Sequence, residues 1–184
     1  MILVWGDSLS AAYGLKPSQG WVEYLKHRLL ERGYHYTVVN GSMTGETTSG
    51  GLTRLPHALE QNKPAIIILE LGANDGLRGT PIKVMKDNLA RMIELSRKAG
   101  AKILLAGILL PPNYGQQFTQ EFSAVYTDLA RQYHVSLLPF FLEGVAQHRE
   151  LLQDGLHPTA AAEPMVLDNV WPKLVPLLGQ PAAQ

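Results

Sequence analysis

Short runs of aliphatic and β-branched residues alternate with helix-period segments along the chain, and this alternation constrains the fold more than any other feature. Five apolar runs predict strands at residues 2–5, 36–39, 65–69, 103–105 and 135–138. Strands that alternate with helices are typical of a parallel sheet with right-handed crossovers. The sequence therefore predicts a doubly wound α/β fold with about five parallel strands.

The segments between these runs carry apolar residues at helical spacing. We expect helices at about 17–32, around Leu52–Leu59, and from Pro81 at the first helical position to a stop at Gly100. Further helices are expected around Phe118–Leu129 and at about 159–178, with a shorter helix within 141–150. Neither a repeat nor a linker interrupts the series. One domain over residues 1–178 and a frayed tail at 179–184 are predicted.

Charge and composition exclude several classes of function. Lys and Arg together number 16, as do Asp and Glu, so the formal net charge is zero and no nucleic-acid partner is expected. The chain lacks cysteine, and no apolar run approaches the roughly 18 residues of a membrane span. No HExxH or similar ligand spacing occurs, so no metal site is predicted. Monomers or weak oligomers are expected.

Polar residues follow the predicted strands at the points where the strands end. Ser8 follows the first strand, Gly45 follows the second and Asn74 follows the third, while Asp154 and His157 come in a loop after the last. Ligands of open α/β sheets bind outside the carboxyl ends of the strands. We therefore expect these residues to converge at one edge of the sheet.

This set of residue types is suited to acyl transfer. A serine hydroxyl such as Ser8 becomes nucleophilic when an imidazole takes its proton, and Asp154 is near enough in sequence to orient His157. The oxyanion of the tetrahedral intermediate needs preorganised donors. The Ser8 N–H at a helix start, the Gly45 N–H and the Asn74 amide are the candidates.

Four blocks of sequence in this order resemble the SGNH (GDSL) hydrolase family, and within it the bacterial thioesterase/lysophospholipase/arylesterase subgroup. They are Gly-Asp-Ser-Leu at 6–9, Gly45, Gly-Ala-Asn-Asp at 72–75 and Asp-Gly-Leu-His at 154–157. The resemblance implies a flavodoxin-like three-layer α/β/α fold, with Ser8 as nucleophile, His157 as base, Asp154 as its orienting acid, and Gly45 and Asn74 as oxyanion donors. It also implies no cofactor or metal, and a periplasmic or secreted location after signal-peptide removal. A cytoplasmic location is the alternative from the residues alone.

Two loops are candidates for substrate binding. Asp75, Gly76 and Leu77 belong to a glycine-flanked segment, which predicts either a mobile lid or an ordinary strand-to-helix connection. Leu109, Pro111 and Tyr114 lie in an apolar loop after the fourth strand, which suits an acyl-chain wall or merely a rigid turn.

The predicted activity is hydrolysis of carboxylic esters through an acyl-Ser8 intermediate, with acyl thioesters and lysophospholipids as further substrate classes. The expected partner is thus a small acyl ester or thioester. Two alternatives stay open at this point: a carbohydrate O-deacetylase that uses the same triad, and a non-catalytic flavodoxin-like binding module.

Overall fold

A five-stranded parallel sheet forms the centre of the protein, as seen in a computed structural model that describes residues 1–181. The strands are β1 (Ile2–Gly6), β2 (Val38–Asn40), β3 (Ile66–Glu70), β4 (Lys102–Ala106) and β5 (Ser136–Leu138). Their order across the sheet is β2-β1-β3-β4-β5, and every neighbouring pair is parallel. The predicted α/β class and strand number are confirmed, and each predicted run overlaps one strand.

The central strand β3 and its neighbour β1 are buried along their whole length. Their register pairs Ile2 with Ile66 and Trp5 with Leu69. Strands covered by helices on both faces are mostly apolar, because neither side meets water. This explains why both strands are nearly continuous apolar runs in the sequence, with Glu70 at the end of β3 as the charged exception.

The α-helices within residues 1–181 are α1 (Trp21–Glu31), α2 (Thr48–Asn62), α3 (Ala73–Leu77), α4 (Ile82–Lys98), α5 (Gln116–Tyr133) and α6 (Glu163–Leu174). Helix α1 packs against α6, whereas α2 and α5 both pack against α4, which gives one helical layer on each face. The buried apolar side chains form one contiguous cluster from β1 to the residues after α6. The division into one domain over residues 1–178 and a tail stays a prediction.

Several predicted helix boundaries are wrong near the amino end. Helix α1 begins at Trp21, because Pro17–Gln19 forms a separate 3-10 turn. Pro81 is the residue before α4 and has extended backbone angles, so it is not the first helical residue. The expected stop at Gly100 is confirmed by its φ of +85°.

Two helix predictions near the carboxyl end also need correction. Residues 141–150 form turns that lead into a 3-10 helix at Arg149–Leu151, instead of a short α-helix. The helix expected at 159–178 is shorter, because it is preceded by a turn and continues after Leu174 as a 3-10 helix at Val175–Leu177. Residues 182–184 of the predicted frayed tail lie outside the described residues.

Helices α1 and α6 are joined at their amino ends by a buried acid. The Glu163 carboxylate accepts a hydrogen bond of 2.7 Å from the Trp21 N–H, one of the unpaired donors at the start of α1. Burial raises the pKa of Glu163 to about 7, although the Trp21 hydrogen bond lowers it in part. None of the helices within residues 1–181 combines the length and apolar character that a bilayer crossing requires.

Candidate active site

A groove of about 280 Å³ opens at the carboxyl edge of the sheet. Ser8, Gly45, Asn74 and His157 all line it, while Asp154 contacts His157 from the side. The predicted convergence of the strand ends is therefore what the structure shows. Most of the remaining lining is apolar: Leu9, Tyr13, Ala73, Leu77, Ile108, Leu109, Leu110, Pro111, Leu142 and Leu156, with Thr44 as the other polar residue.

Ser8 lies in a succession of tight turns that follow β1, and not at the start of an α-helix as predicted. The first turn is closed by Asp7, whose Oδ1 accepts a hydrogen bond of 3.0 Å from the Leu9 N–H. The next is closed by the Ala11 N–H, which donates to the Asp7 carbonyl at 2.9 Å. These turns raise Ser8 out of the core, so that it is half-buried between two buried neighbours, Asp7 and Leu9.

Ser8, His157 and Asp154 form a continuous hydrogen-bonded chain. The Ser8 Oγ lies 2.9 Å from His157 Nε2, and His157 Nδ1 lies 2.7 Å from Asp154 Oδ2. Because an ionised carboxylate only accepts, Nδ1 carries the proton in this pair and Nε2 is free to accept from the serine hydroxyl. The geometry orients the imidazole as a base toward Ser8.

Asp154 is itself fixed by the loop that carries it. Its Oδ1 accepts from the N–H groups of Leu156 (3.0 Å) and His157 (2.9 Å). Partial desolvation raises the pKa of Asp154, but these backbone hydrogen bonds and the bond from the His157 ring outweigh it and lower the pKa to about 2. Asp154 is therefore ionised throughout the neutral range, as an orienting acid must be.

Two backbone donors border the groove beside Ser8. Within residues 1–181, neither the Ser8 N–H nor the Gly45 N–H donates a hydrogen bond to the protein. Gly45 has a φ of +76°, a conformation that glycine adopts without strain, and its carbonyl is held by Arg78 Nη2 at 3.1 Å. Both N–H groups are thus free to bind an anionic oxygen.

Asn74, the third predicted donor, is already engaged. Its Nδ2 donates to Asp7 Oδ2 at 3.2 Å and to the Glu46 carbonyl at 2.9 Å. An amide has two hydrogens on this nitrogen, so both have partners. One of these bonds must be exchanged before Asn74 can bind an oxyanion, and the longer bond, to Asp7, is the easier one to give up.

A buried pair of acids beneath the Ser8 turn was missed by sequence reasoning. Glu70 ends β3, and its Oε2 accepts from Ser10 Oγ (2.7 Å) and from the Asp7 N–H (3.4 Å), whereas its Oε1 has no protein partner. Burial raises the pKa of Glu70 well above its usual value and that of Asp7 to about 6. The detectable signal was an acidic residue at the end of an otherwise wholly apolar strand.

The same pair explains why residue 6 is a glycine. A Cβ atom on Gly6 would lie 2.5 Å from Glu70 Oε2 and 3.0 Å from the Ser10 Cβ. Glu70 and Ser10 are both buried, so neither side chain can move aside for a Cβ atom. The glycine of the 6–9 block is needed to admit the Glu70 carboxyl.

Asp75 and Gly76 do not reach the groove, which corrects the prediction that they bind substrate. Asp75 is buried, and its two oxygens accept from the Thr48 N–H (2.8 Å) and the Thr48 hydroxyl (2.6 Å) at the start of α2. Gly76 packs so closely against Leu110 and Phe122 that a Cβ would clash with both. Both residues belong to α3, a five-residue helix where a lid or a plain connection was expected.

The other candidates for substrate binding divide into two groups. Leu77, Leu109 and Pro111 line the groove, and Leu109 is 47% exposed there. Tyr114 does not line it; its hydroxyl lies 3.5 Å from the Leu77 carbonyl, on the outer side. The apolar loop after β4 therefore contributes to the groove with its first half only.

A second apolar cavity of about 260 Å³ lies behind the groove. The two share a wall that includes Leu109, Pro111, Leu142 and Leu156. Ala146 lines the second cavity only. Within residues 1–181, no cluster of three or more acidic, His or Cys side chains is placed to hold a metal ion.

The chain is similar to known proteins over most of its length. The family model of the GDSL-like Lipase/Acylhydrolase family matches residues 4–163. "Esterase TesA" of Pseudomonas aeruginosa is 53% identical over 178 residues, covering 96% of this chain and 89% of that protein. An "Arylesterase" of Vibrio mimicus is 46% identical over 175 residues, covering 95% and 88%.

A solved structure shows the same fold. The crystal structure of TesA superposes with a TM-score of 0.94 at 53% sequence identity and covers 96% of this chain and 99% of that one. The chain belongs to the GDSL-like lipase/acylhydrolase family.

Proposed function

We propose that this protein hydrolyses carboxylic esters through a covalent acyl-Ser8 intermediate. The observation that carries the proposal is the continuous chain from Ser8 Oγ to His157 Nε2 (2.9 Å) and from His157 Nδ1 to Asp154 (2.7 Å). Family membership and relatives named as esterases point to the same chemistry.

Acylation starts with attack of Ser8 Oγ on the ester carbonyl carbon. As the Oγ–C bond forms, the serine proton passes to His157 Nε2, and the carbonyl oxygen becomes an oxyanion. The C–O bond to the leaving alcohol then breaks, and His157 returns the proton to that oxygen. Asp154 keeps the imidazole in the required tautomer and stabilises it while it is positively charged.

Deacylation repeats these steps with water. His157 takes a proton from the water as its oxygen attacks the acyl carbon, and the bond to Ser8 Oγ breaks as the proton is delivered to it. The carboxylic acid leaves, and the hydrogen-bonded triad is restored.

The oxyanion of both steps is bound at the Ser8 N–H, the Gly45 N–H and the Asn74 amide. The two backbone donors are free before substrate arrives, whereas Asn74 exchanges its bond to Asp7 for one to the oxyanion. An interaction made only in the transition state lowers the barrier without tightening substrate binding. The role of Asn74 is therefore expected to appear in kcat.

The groove favours apolar acyl groups over sugars. Its lining is largely aliphatic, so it offers few hydrogen-bond partners to a hydroxyl-rich substrate. This disfavours the carbohydrate O-deacetylase alternative. Small acyl esters are the proposed substrates, and acyl thioesters are included because the triad attacks either carbonyl.

Substitution of Ser8 by alanine is the direct test. We expect Ser8→Ala to lose at least about 10⁴-fold of kcat on p-nitrophenyl acetate while its free energy of unfolding changes by about 1 kcal/mol or less. An organophosphonate should add covalently to Ser8 in the wild-type protein only, as read by peptide mass spectrometry. Ser123→Ala, which changes a half-buried serine on α5, is the matched control and should retain full activity.

Two results would refute the proposal. The first is substantial activity in folded Ser8→Ala. The second is a wild-type protein that neither hydrolyses esters nor reacts with the phosphonate, which would favour a non-catalytic binding module.

We also propose that the natural protein works in the periplasm, as a monomer or weak oligomer. The proposal on location follows from the family resemblance, and fractionation of cells that express the natural gene tests it. Sedimentation at two protein concentrations tests the oligomeric state.

A further inference from the structure

Tyr13 stands at the rim of the groove, against the imidazole of His157. The two ring centroids are 4.6 Å apart and the planes are tilted by 40°. Tyr13 lines the groove, yet 48% of the residue is exposed. A large aromatic surface is thus left open to a ligand beside the base.

The backbone of Tyr13 is held on both sides. Its N–H donates to the Ser8 carbonyl at 3.2 Å, and its carbonyl accepts from Gln153 Nε2 at 3.0 Å. Gln153 Nε2 also donates to the Pro158 carbonyl at 2.7 Å, and the Gln153 N–H donates to the His157 carbonyl at 2.8 Å. The backbone that carries the ring is therefore fixed relative to both the nucleophile and the base.

The tetrahedral intermediate determines which part of the substrate meets Tyr13. Its carbon carries Ser8 Oγ, the oxyanion, the acyl group and the leaving oxygen. The oxyanion points to Gly45 and Asn74, whereas the leaving oxygen must lie beside His157 Nε2 to receive the proton. The leaving group therefore emerges next to the aromatic ring that contacts His157, which is Tyr13.

The rest of the groove is of a different character. Leu77, at the end of α3, and Leu109 and Pro111, in the loop after β4, are aliphatic. The acyl group is the part of the intermediate that remains to contact them. Aromatic rings prefer to stack with an offset or to meet edge to face, and such pairs are stabilised beyond the burial of their area. The groove thus has an aliphatic side for the acyl group and an aromatic side for the leaving group.

We propose that Tyr13 is a specificity-determining residue that selects esters with a planar aromatic leaving group. The proposal rests on the acyl-Ser8 mechanism above and adds the class of alcohol that this mechanism releases. Phenols and benzyl alcohols present a flat ring to Tyr13, which an alkyl alcohol does not.

Three acetates test this proposal, because they pass through the same acetyl-enzyme and differ only in the leaving group. Benzyl acetate and cyclohexylmethyl acetate release alcohols of similar size and acidity, of which only the first is aromatic, and ethyl acetate is the small reference. The quantity measured is kcat/KM, which reports acylation and so depends on the leaving group. Tyr13→Phe keeps the ring, Tyr13→Leu keeps an apolar side chain without a ring, and Tyr133→Leu, at the opposite edge of the sheet, is the matched control.

We expect Tyr13→Leu to lower kcat/KM for benzyl acetate by roughly 2- to 12-fold relative to cyclohexylmethyl acetate, the range that corresponds to one aromatic pair. Tyr13→Phe should keep the wild-type ratio within about twofold, as should Tyr133→Leu. Thermal unfolding shows whether each variant is folded. If Tyr13→Leu is not, Tyr13→Met makes the same comparison.

The outcomes are distinguishable. Equal losses on all three acetates would mean that Tyr13 acts only by holding His157 and would overturn the proposed selectivity. An unchanged ratio of benzyl to cyclohexylmethyl acetate would overturn it as well. A wild-type protein that is inactive on all three acetates and unlabelled at Ser8 would instead refute the proposed ester hydrolysis.

Discussion

Asp75 is expected to stabilise the fold and not to bind substrate, and its replacement by alanine separates the two roles. In the native protein its carboxylate accepts two short hydrogen bonds from Thr48, at 2.8 and 2.6 Å, and only 1% of the residue is exposed. It also places a negative charge at the amino end of α2, where the helix dipole favours one. Asp75→Ala removes all three interactions.

The expected loss in the free energy of unfolding follows from the number of hydrogen-bonding groups that Asp75→Ala leaves without partners. Hydrogen bonds to a charged group contribute about 1.5–3 kcal/mol each, and a buried donor without a partner costs about 1–3 kcal/mol. Release of a carboxylate from a buried site offsets part of this loss. We therefore expect Asp75→Ala to lower the free energy of unfolding by about 3 kcal/mol, out of the 5–15 kcal/mol typical of a domain.

Urea unfolding followed by tryptophan fluorescence measures this loss, since Trp5 and Trp21 are both buried. Steady-state kinetics on p-nitrophenyl acetate at 25 °C measures substrate binding, and we expect KM to stay within about threefold of wild type. Asp87→Ala is the matched control, because Asp87 forms only an exposed pair with Lys83 and should cost about 0.5 kcal/mol. A loss of less than about 1 kcal/mol in Asp75→Ala together with an about tenfold rise in KM would instead make Asp75 a substrate-binding residue.

Three further predictions follow from the site and its surroundings. Asn74→Ala should lower kcat by about 10²–10³-fold with little change in KM, because the amide binds the oxyanion only after exchanging its bond to Asp7. The pKa of the Glu163 carboxyl is about 7 in the folded protein and 4.5 in the unfolded chain. Between these pH values the folded protein therefore binds more protons than the unfolded chain, and the free energy of unfolding falls as pH rises from 4.5 to 7. Glu163→Gln should therefore reduce the stability difference between pH 5 and pH 8, by up to about 3 kcal/mol in chemical denaturation. Ala146→Phe narrows the second cavity and should lower kcat/KM for long-chain p-nitrophenyl esters about tenfold, while the acetate is unaffected.

Each of these predictions has a result that contradicts it. A rise in KM at constant kcat in Asn74→Ala would make Asn74 a ground-state contact. An unaltered pH dependence in Glu163→Gln would mean that this carboxyl does not titrate between pH 5 and 8. Equal losses on acetate and long-chain esters in Ala146→Phe would show that the second cavity takes no acyl chain.

The sequence was sufficient to predict the site residues that follow the ends of the strands. Ser8, Gly45, Asn74 and His157 each follow a strand or its connection, and the topology of a parallel sheet alone brings such positions to one edge. Spacing in the sequence then identifies the acid that orients His157, because Asp154 lies three residues away and contacts the imidazole within one loop. The family resemblance was confirmed by the match over residues 4–163.

The features that were missed depend on partners distant in the chain. Asp75 lies next to Asn74 in sequence, but its carboxylate faces inward because Thr48, 27 residues away, presents two donors there. Glu70 is buried for a similar reason, since Ser10 lies 60 residues away. Neither contact leaves a pattern in the neighbouring sequence. A single sequence therefore does not show whether such an acidic side chain is buried or exposed to solvent.

The close approach of Gly6 and Glu70 has a consequence for moving this catalytic site to another scaffold. The Glu70 carboxyl, at the end of the neighbouring strand β3, packs under the turn that carries Ser8 and occupies the space that a Cβ atom on Gly6 would need. A graft of residues 6–9 onto a different parallel sheet would therefore leave a void or a clash under the nucleophile unless the end of β3 were carried with it. The smallest transferable unit is thus a pair of adjacent strands with both of their following turns, and any library that randomises position 6 must vary position 70 in the same clones.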